Sequence, residues 1–159
     1  MSRKSEDKPA VKVVAINKKA RFDYHIIDRF EAGLVLTGAE IKSVRNGAIS
    51  LAESYITPQR GELFLVGAHI KPYKFNADTA YDPLRRRKLL MHKREIAKLA
   101  KGVEARGFTI VPLQVHLKRG FAKLEIGLAK GKAAPDKRQD IKEREAKREM
   151  SRAMKGARH

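Results

Sequence analysis

The chain has 159 residues and no cysteine, so it holds one domain plus a tail and excludes disulfides and thiolate metal sites. Lys plus Arg is 36 and Asp plus Glu is 18, a net charge of +18 that repels itself unless a polyanion relieves it. Nucleic acid fits that demand first and an anionic membrane second. With no run approaching a signal peptide or a membrane span, a cytoplasmic soluble protein is the expectation.

The charge is spread along the chain. Before Gly131 there are 26 basic and 13 acidic residues; from Gly131 onward there are 10 and 5. The body is therefore cationic in its own right. Residues 1–12 are polar and read as a flexible N-terminus, 13–130 as the folded body and 131–159 as a basic tail.

Asn17-Lys18-Lys19-Ala20-Arg21 reads as a loop leading into the first strand. Then Phe22, Tyr24, Ile26, Phe30, Ala32, Leu34 and Leu36 all fall on even numbers, interrupted by Asp28. Period two over this length predicts a long strand, bent near Asp28-Arg29, with His25, Arg29 and Glu31 on the opposite face. Thr37 followed by Glu40 is a capping-box pattern, and Asn46-Gly47 a stop, so a short helix lies between with Ile41 and Val44 inward. LAESYIT and ELFLVGAHI predict a hairpin turning at Pro58-Gln59-Arg60-Gly61. Residues 72–88 read as irregular and end in Arg85-Arg86-Arg87-Lys88. Leu89, Ile96, Leu99 and Val103 predict an amphipathic helix with a basic outer face, closing at Gly107. FTIVPLQVHL and FAKLEIGLA predict the last hairpin, with Pro112 marking an edge or a bulge. In its second arm Leu124, Ile126 and Leu128 point inward while Lys123 and Glu125 point outward.

The sum is five or six strands with two or three helices. Sequential hairpins predict a mainly β fold, an antiparallel sheet closed into a small barrel so that no edge is left open. The tail carries Met150, Ala153, Met154 and Ala157 in a thin helical stripe, with Asp140–Arg144 and Glu143–Lys147 as acid-before-base pairs. Such pairs leave helix formation near neutral. The tail is expected to be disordered when free and helical when a polyanion holds it. The bland alternative is a solubilising terminus.

Nothing in the pattern asks for catalysis. His25, His69, His92, His116 and His159 lack metal-ligand spacing, and there is no Gly-rich phosphate loop. No metal or cofactor is expected. Glu40 has a ready role as a cap. Glu31 faces outward on a basic surface; for an arbitrary protein that means a surface salt bridge, and on an RNA-binding surface it means an acceptor for a base edge or a 2′-hydroxyl. The Asn17–Arg21 segment sits where a barrel mouth contacts oligonucleotides. Arg85, Arg86, Arg87 and Lys88 are packed closely enough to call for phosphate. Aromatic residues are few and fall mostly on core positions, so shape and backbone recognition of a folded RNA is the better fit than base stacking.

NKKARFDYHI, FEAGLVLTGAEIKSVRNG, DPLRRRKLLMHKRE, LEIGLAKGK and DKRQDIKEREAKRE, in that order, resemble the SsrA-binding protein (small protein B) family. The resemblance runs from about Asn17 to the C-terminus. It implies an oligonucleotide-binding-type β-barrel with about three helices, acting as a monomer that binds the tRNA-like domain of transfer-messenger RNA and brings it to stalled ribosomes in trans-translation. It further implies that the tail enters the empty mRNA channel past the decoding centre, against 16S rRNA, and folds there into a helix. The resemblance assigns RNA contacts in the body to Asn17, Lys18, Arg21, Glu31, Leu90 and Lys123; Lys19 and Lys130 sit within the same matching stretches. On its own, Leu90 reads as core. Gly131, Lys132, Asp136, Lys137 and Arg138 match the decoding-centre and channel segment, and Met154 and Lys155 the distal helix. Pro135 is a departure: relatives commonly carry His or Tyr there, and proline has a ring without an aromatic face.

Two rival readings remain from the residues alone. One is a general RNA-binding protein, separated by its lack of preference for a tRNA-like RNA. The other is an RNA-processing enzyme using Glu31, separated by cleavage or modification of RNA. A membrane-surface role is weakest because the tail's apolar stripe is thin.

Overall fold

The computed structural model describes residues 11–74, 80–132 and 134–156. Strands and helices follow in the order β1 (Val11–Ile16), α1 (Lys18–Asp23), β2 (Tyr24–Leu34), α2 (Gly38–Arg45), β3 (Ile49–Ser50), β4 (Tyr55–Gln59), β5 (Glu62–Val66), β6 (His69–Ile70), β7 (Arg87–Leu90), α3 (Lys93–Arg106), β8 (Thr109–Lys118), β9 (Phe121–Gly131) and α4 (Ala134–Gly156). Seven strands form one antiparallel sheet in the order β1-β8-β9-β2-β7-β5-β4; β3 and β6 pair separately.

The closed barrel is corrected. The sheet ends in β1 and β4, and although β4 packs against β8, no ladder joins them. Over Gln114–Lys118 the far side of β8 is already taken by β1, and Pro58 removes one N–H from β4. β1 itself went unread: the expected flexible segment 1–12 overlaps it at Val11 and Lys12, while residues 1–10 lie outside the described part. The predicted loop at 18–21 is also corrected. It is helix α1, because Asn17 caps it, its Oδ1 accepting from the Ala20 N–H at 3.1 Å.

The long period-two run is one strand from Tyr24, with Phe22 in α1. Its even positions do not share one face. Ile26 pairs with Ala129 and Asp28 with Leu128, so Ile27 is an extra residue and the strand bulges. A bulge shifts the alternation by one. Tyr24 and Ile26 therefore pack with Ala20, Val111, Leu113 and Ala129 under α1, whereas Phe30, Ala32 and Leu34 belong to the main core. β8 carries a matching irregularity between Pro112 and Gln114. Pro112 marks this bulge and lies on an internal strand, so the bulge half of its expectation holds and the edge half does not.

The main core lies on one face of the sheet. Leu63, Leu65, Leu89, Leu99, Leu124 and Ile126 are fully buried there, each contributing about 1.5–3 kcal/mol. Helix α3 covers it with Ile96 and Leu99 and stops at Gly107 as expected. It begins at Lys93, not at Leu89: Leu89 and Leu90 extend β7, which pairs with β2 through Leu34↔Leu89 and Gly33↔Leu90. Helix α2 has the capping box read from Thr37 and Glu40.

Both long hairpins turn on an Arg-Gly pair with two positive φ angles, 52° and 76° at Arg60-Gly61 and 53° and 81° at Arg119-Gly120. These are the primed turns whose twist matches the flanking strands. Gly67 is more constrained. Its φ is +79°, and an added Cβ would lie 2.6 Å from the backbone oxygen of Glu53. Gly67→Ala should destabilise the protein by roughly 2 kcal/mol or more, read as a lowered urea midpoint at unchanged m.

Candidate nucleic-acid interface

The face of the sheet away from the main core collects the outward side chains of five strands. One ladder row runs Val13 (β1), His116 (β8), Lys123 (β9), Gly33 (β2) and Leu90 (β7). The next runs Ile16, Gln114, Glu125 and Glu31. Glu31, Leu90 and Lys123, assigned from three distant parts of the sequence, thus stand side by side.

Leu90 is 56% exposed, which a core leucine would not be. It packs over Gly33, where an added Cβ would come within 3.2 Å of the Leu90 Cβ. Leu90, Gly33, Leu36, Phe121, Lys123 and Arg45 line a groove of about 320 Å³, and among the described residues no carboxylate lines it. Phe121 is 69% exposed and Arg45 donates to the Gly120 carbonyl at 3.4 Å. Neither was singled out from sequence. Phe121 shares outward parity with Lys123, which was the available signal; Arg45 carried none.

Glu125 stands opposite Glu31 in the ladder and is held by Arg29 at 2.8 Å. Glu31 lies 3.6 Å from His116 Nε2 and 3.7 Å from Lys118 Nζ. Both readings of Glu31 are compatible with this geometry: it has cationic neighbours and is still exposed.

Along the same face, α1 presents Lys18 and Lys19 to solvent, and Arg21 donates to Gln114 Oε1 at 3.4 Å. Lys130 is exposed opposite His25. Asn17 is different. It is buried, its amide donates to the Pro112 carbonyl at 2.9 Å and its oxygen caps α1. Its side chain holds α1 on the sheet instead of facing outward.

The arginine run divides. Arg86 is exposed, bonds Gln59 and stacks on Phe64, with its guanidinium carbon 5.7 Å from the ring centre. Arg85 reaches Glu40 Oε1 at 2.6 Å and stays partly exposed. Arg87 is 0% exposed. It meets Glu40 Oε2 at 2.6 Å and donates to the carbonyls of Ala68 and Pro83. Unlike Arg86, Arg87 sits on β7 with Leu89 on the inward side, where burial demands an internal carboxylate. Burial would raise the Glu40 carboxyl, but hydrogen bonds from Arg85, the Thr37 N–H and Arg87 outweigh it and hold the carboxyl below its ordinary value. Tyr81 closes this cluster. Its hydroxyl donates to the Ile70 carbonyl at 2.8 Å, and burial and the Glu40 charge push it up.

The tail leaves the face next to α1. Gly131 ends β9 opposite Tyr24, and the Lys132 N–H donates to the Asp23 carbonyl at 2.8 Å. Helix α4 then stands largely exposed. Lys137 pairs with Asp23 at 3.2 Å, and Lys137 and Arg144 lie over the Phe22 ring, 5.9 and 5.0 Å from its centre. Arg138 faces solvent. Pro135, Asp136, Met154 and Lys155 lie in α4, and their side chains are outside the described part of the structure, as are residues 157–159. Among the described residues, no cluster of three or more His, Cys, Asp or Glu side chains could hold a metal ion. None of the described helices is long and apolar enough to cross a membrane.

The profile of the SmpB protein family matches residues 14–156. The SsrA-binding protein of Latilactobacillus sakei subsp. sakei (strain 23K) is 52% identical over 155 residues, 98% of this chain and 99% of the relative. The SsrA-binding protein of Geobacillus thermodenitrificans (strain NG80-2) is 53% identical over 144 residues, 91% and 93% of the two chains. A solved structure described as "tmRNA-SmpB: a journey to the center of the bacterial ribosome" is 41% identical, superposes with a TM-score of 0.63, and covers 79% of this chain and 92% of its own.

Proposed function

This chain belongs to the SmpB protein family, and from that membership we propose that it binds the tRNA-like domain of transfer-messenger RNA and carries it to stalled ribosomes for trans-translation. The observation that carries the reading is the convergence of Glu31, Leu90 and Lys123 on one cation-rimmed face, beside the exposed lysines of α1. The sheet serves as an oligonucleotide-binding-type platform. Apolar Leu90 packs against a sugar or base face, Lys123, Lys18, Lys19, Arg21, Arg86 and Lys130 meet phosphates, and Glu31 accepts from a base edge or a 2′-hydroxyl. Asn17 and Arg87 keep α1 and β7 in register with that surface.

The role is one of binding and delivery, with no reaction catalysed, in the cytoplasm where ribosomes translate. Residues 13–130 grip the RNA as a monomer. Residues 131–159, with Gly131, Lys132, Pro135, Asp136, Lys137 and Arg138 first and Met154 and Lys155 last, probe the empty mRNA channel and decoding centre and contact 16S rRNA. Helix α4 is the form the tail takes when held; alone, its sparse apolar stripe leaves helix formation marginal.

The test is binding of a transcribed tRNA-like domain across a salt series. Leu90→Ala with Lys123→Ala should weaken binding by about 10-fold or more and flatten the log–log salt slope by about one unit, with little change in thermal midpoint since Leu90 faces solvent and Lys123 lies on the same face. Wild-type affinity in the double variant, or equal affinity of the wild type for random RNA of the same length, would sink the reading.

A further inference from the structure

His116 lies under the proposed RNA surface and is 6% exposed. Its Nε2 is 3.6 Å from Glu31 Oε2, while Lys118, two residues along the same strand, places Nζ 3.7 Å from Glu31 Oε1. Its Nδ1 is buried and has no hydrogen-bond partner among the described residues. Lys123 and Glu125 face it from β9 and Glu31 from β2; its neighbour on β1 is Val13, which cannot titrate.

We infer that His116 is a positioning residue that, with Lys118, holds the Glu31 carboxylate in the orientation used to bind RNA. The inference rests on the RNA-binding reading above and deepens it. Glu31 and Glu125 stand directly opposite in the ladder, and like charges so placed push apart. Arg29 takes Glu125. Without a second holder, the half-exposed Glu31 side chain would swing into solvent. Two groups from one strand, His116 Nε2 at 3.6 Å and Lys118 Nζ at 3.7 Å, flank one carboxylate oxygen each, beyond hydrogen-bond distance but within range of electrostatic attraction, and so bias its plane. Lone pairs remain on the solvent side, so the held carboxylate accepts from a ligand that carries donors: a ribose 2′-hydroxyl or the N1–H and N2–H₂ edge of guanine. A phosphate has no donor to offer and is repelled, so this spot reads a base or sugar amid cations that read the backbone.

The empty Nδ1 selects the tautomer. A proton there would be a buried N–H with no acceptor, which costs more than a bare lone pair. The tautomer that carries its proton on Nε2, on the side of Glu31, is therefore favoured. Burial locks the ring, so its donor is already aimed before RNA arrives.

The experiment is a double-mutant cycle on the full chain, read as affinity for the transcribed tRNA-like domain at fixed salt, with thermal unfolding of every variant. Glu31→Gln and His116→Phe should each weaken binding by about 10-fold, and the double variant by little more than either, because both remove one contact. His116→Gln, which keeps a donor, should recover part of the loss relative to His116→Phe. A purely structural histidine would show its effect in the unfolding midpoint and not in this coupling or rescue. If His116→Phe fails to fold, the cycle is closed with His116→Gln, whose coupling to Glu31→Gln should keep the same sign. Independent, multiplying losses, or wild-type affinity in His116→Phe beside a weakened Glu31→Gln, overturn the inference while leaving the RNA-binding reading intact. A wild type that does not distinguish tRNA-like from random RNA overturns that reading, and this inference with it.

Discussion

Deletion of residues 131–159 should leave affinity for the tRNA-like RNA within about threefold of the full chain at 0.15 M salt, yet reduce tagging of stalled peptides to background. The separation follows from where the charges sit. The body keeps 26 basic against 13 acidic residues. Helix α4 extends 23 residues, about 35 Å at 1.5 Å per residue, against a Debye length of about 8 Å. Most of its charge is therefore screened from an RNA on the sheet. Its links to the body run through Asp23 and Phe22 at its first turns, so its removal exposes little core. Binding is measured by titration of labelled RNA, and tagging by the tagged product on a message without a stop codon. Circular dichroism of a peptide spanning 131–159 should show mostly coil, gaining helix only with RNA present. Tagging that survives the deletion would remove the channel role from the tail.

Replacing Glu40 with alanine should cost about 3–5 kcal/mol, because it leaves the Arg87 guanidinium buried without its carboxylate. Glu40 also closes the capping box through the Thr37 N–H at 2.9 Å, and that bond goes too. The thermal midpoint should drop by roughly 10–20 °C in a body of this size. Glu40→Gln keeps an acceptor for the cap and should lose less. Removing both charges with Glu40→Gln and Arg87→Met should recover part of the loss but not all, since the carbonyls of Ala68 and Pro83 lose their donor. The acid limb carries the same signature. The Glu40 carboxyl is held below its ordinary value in the fold, so the unfolded chain takes up the proton first as pH falls. The stabilisation is complete above the unfolded value of about 4.3 and is lost as pH drops through the folded one. Glu40→Gln should flatten that part of the stability curve. A destabilisation under about 1 kcal/mol in Glu40→Ala would show that the buried pair does not hold the 80–87 segment.

The same cluster shows how far the sequence could be read. Thr37 and Glu40 were legible as a cap because that motif is local, four residues closing on themselves. The second role of Glu40 was not, since Arg85 and Arg87 lie 45 and 47 positions away. Read locally, Arg85-Arg86-Arg87 was a uniform charged run. The β alternation of strand β7 buries Arg87 and leaves Arg86 outside. Strand β2 is a parallel case. Its alternation was plain, but the consequence of the bulge at Ile27 depended on which residues of β9 it faced. Leu90 was legible as a candidate RNA contact only through the family resemblance, because an outward leucine and an inward one are the same letter. β1 and α1 were missed for a different reason. The strand is six residues with lysine in it and the helix is six residues rich in charge. Neither has enough periodic signal, and both form because β8 offers an open edge and Asn17 a cap anchored to Pro112.

By itself the sequence determined the cationic character, the antiparallel hairpins, the capped helix and the family, since these rest on composition, short-range periodicity and motifs whose parts are neighbours in the chain. The tertiary structure alone decided that the sheet stays open, that Arg87 and Asn17 turn inward, and that Glu31, Leu90, Lys123 and His116 meet on one face. Those outcomes depend on which strand pairs with which and in what register, and strand pairing is a long-range choice in which each edge can be satisfied only once.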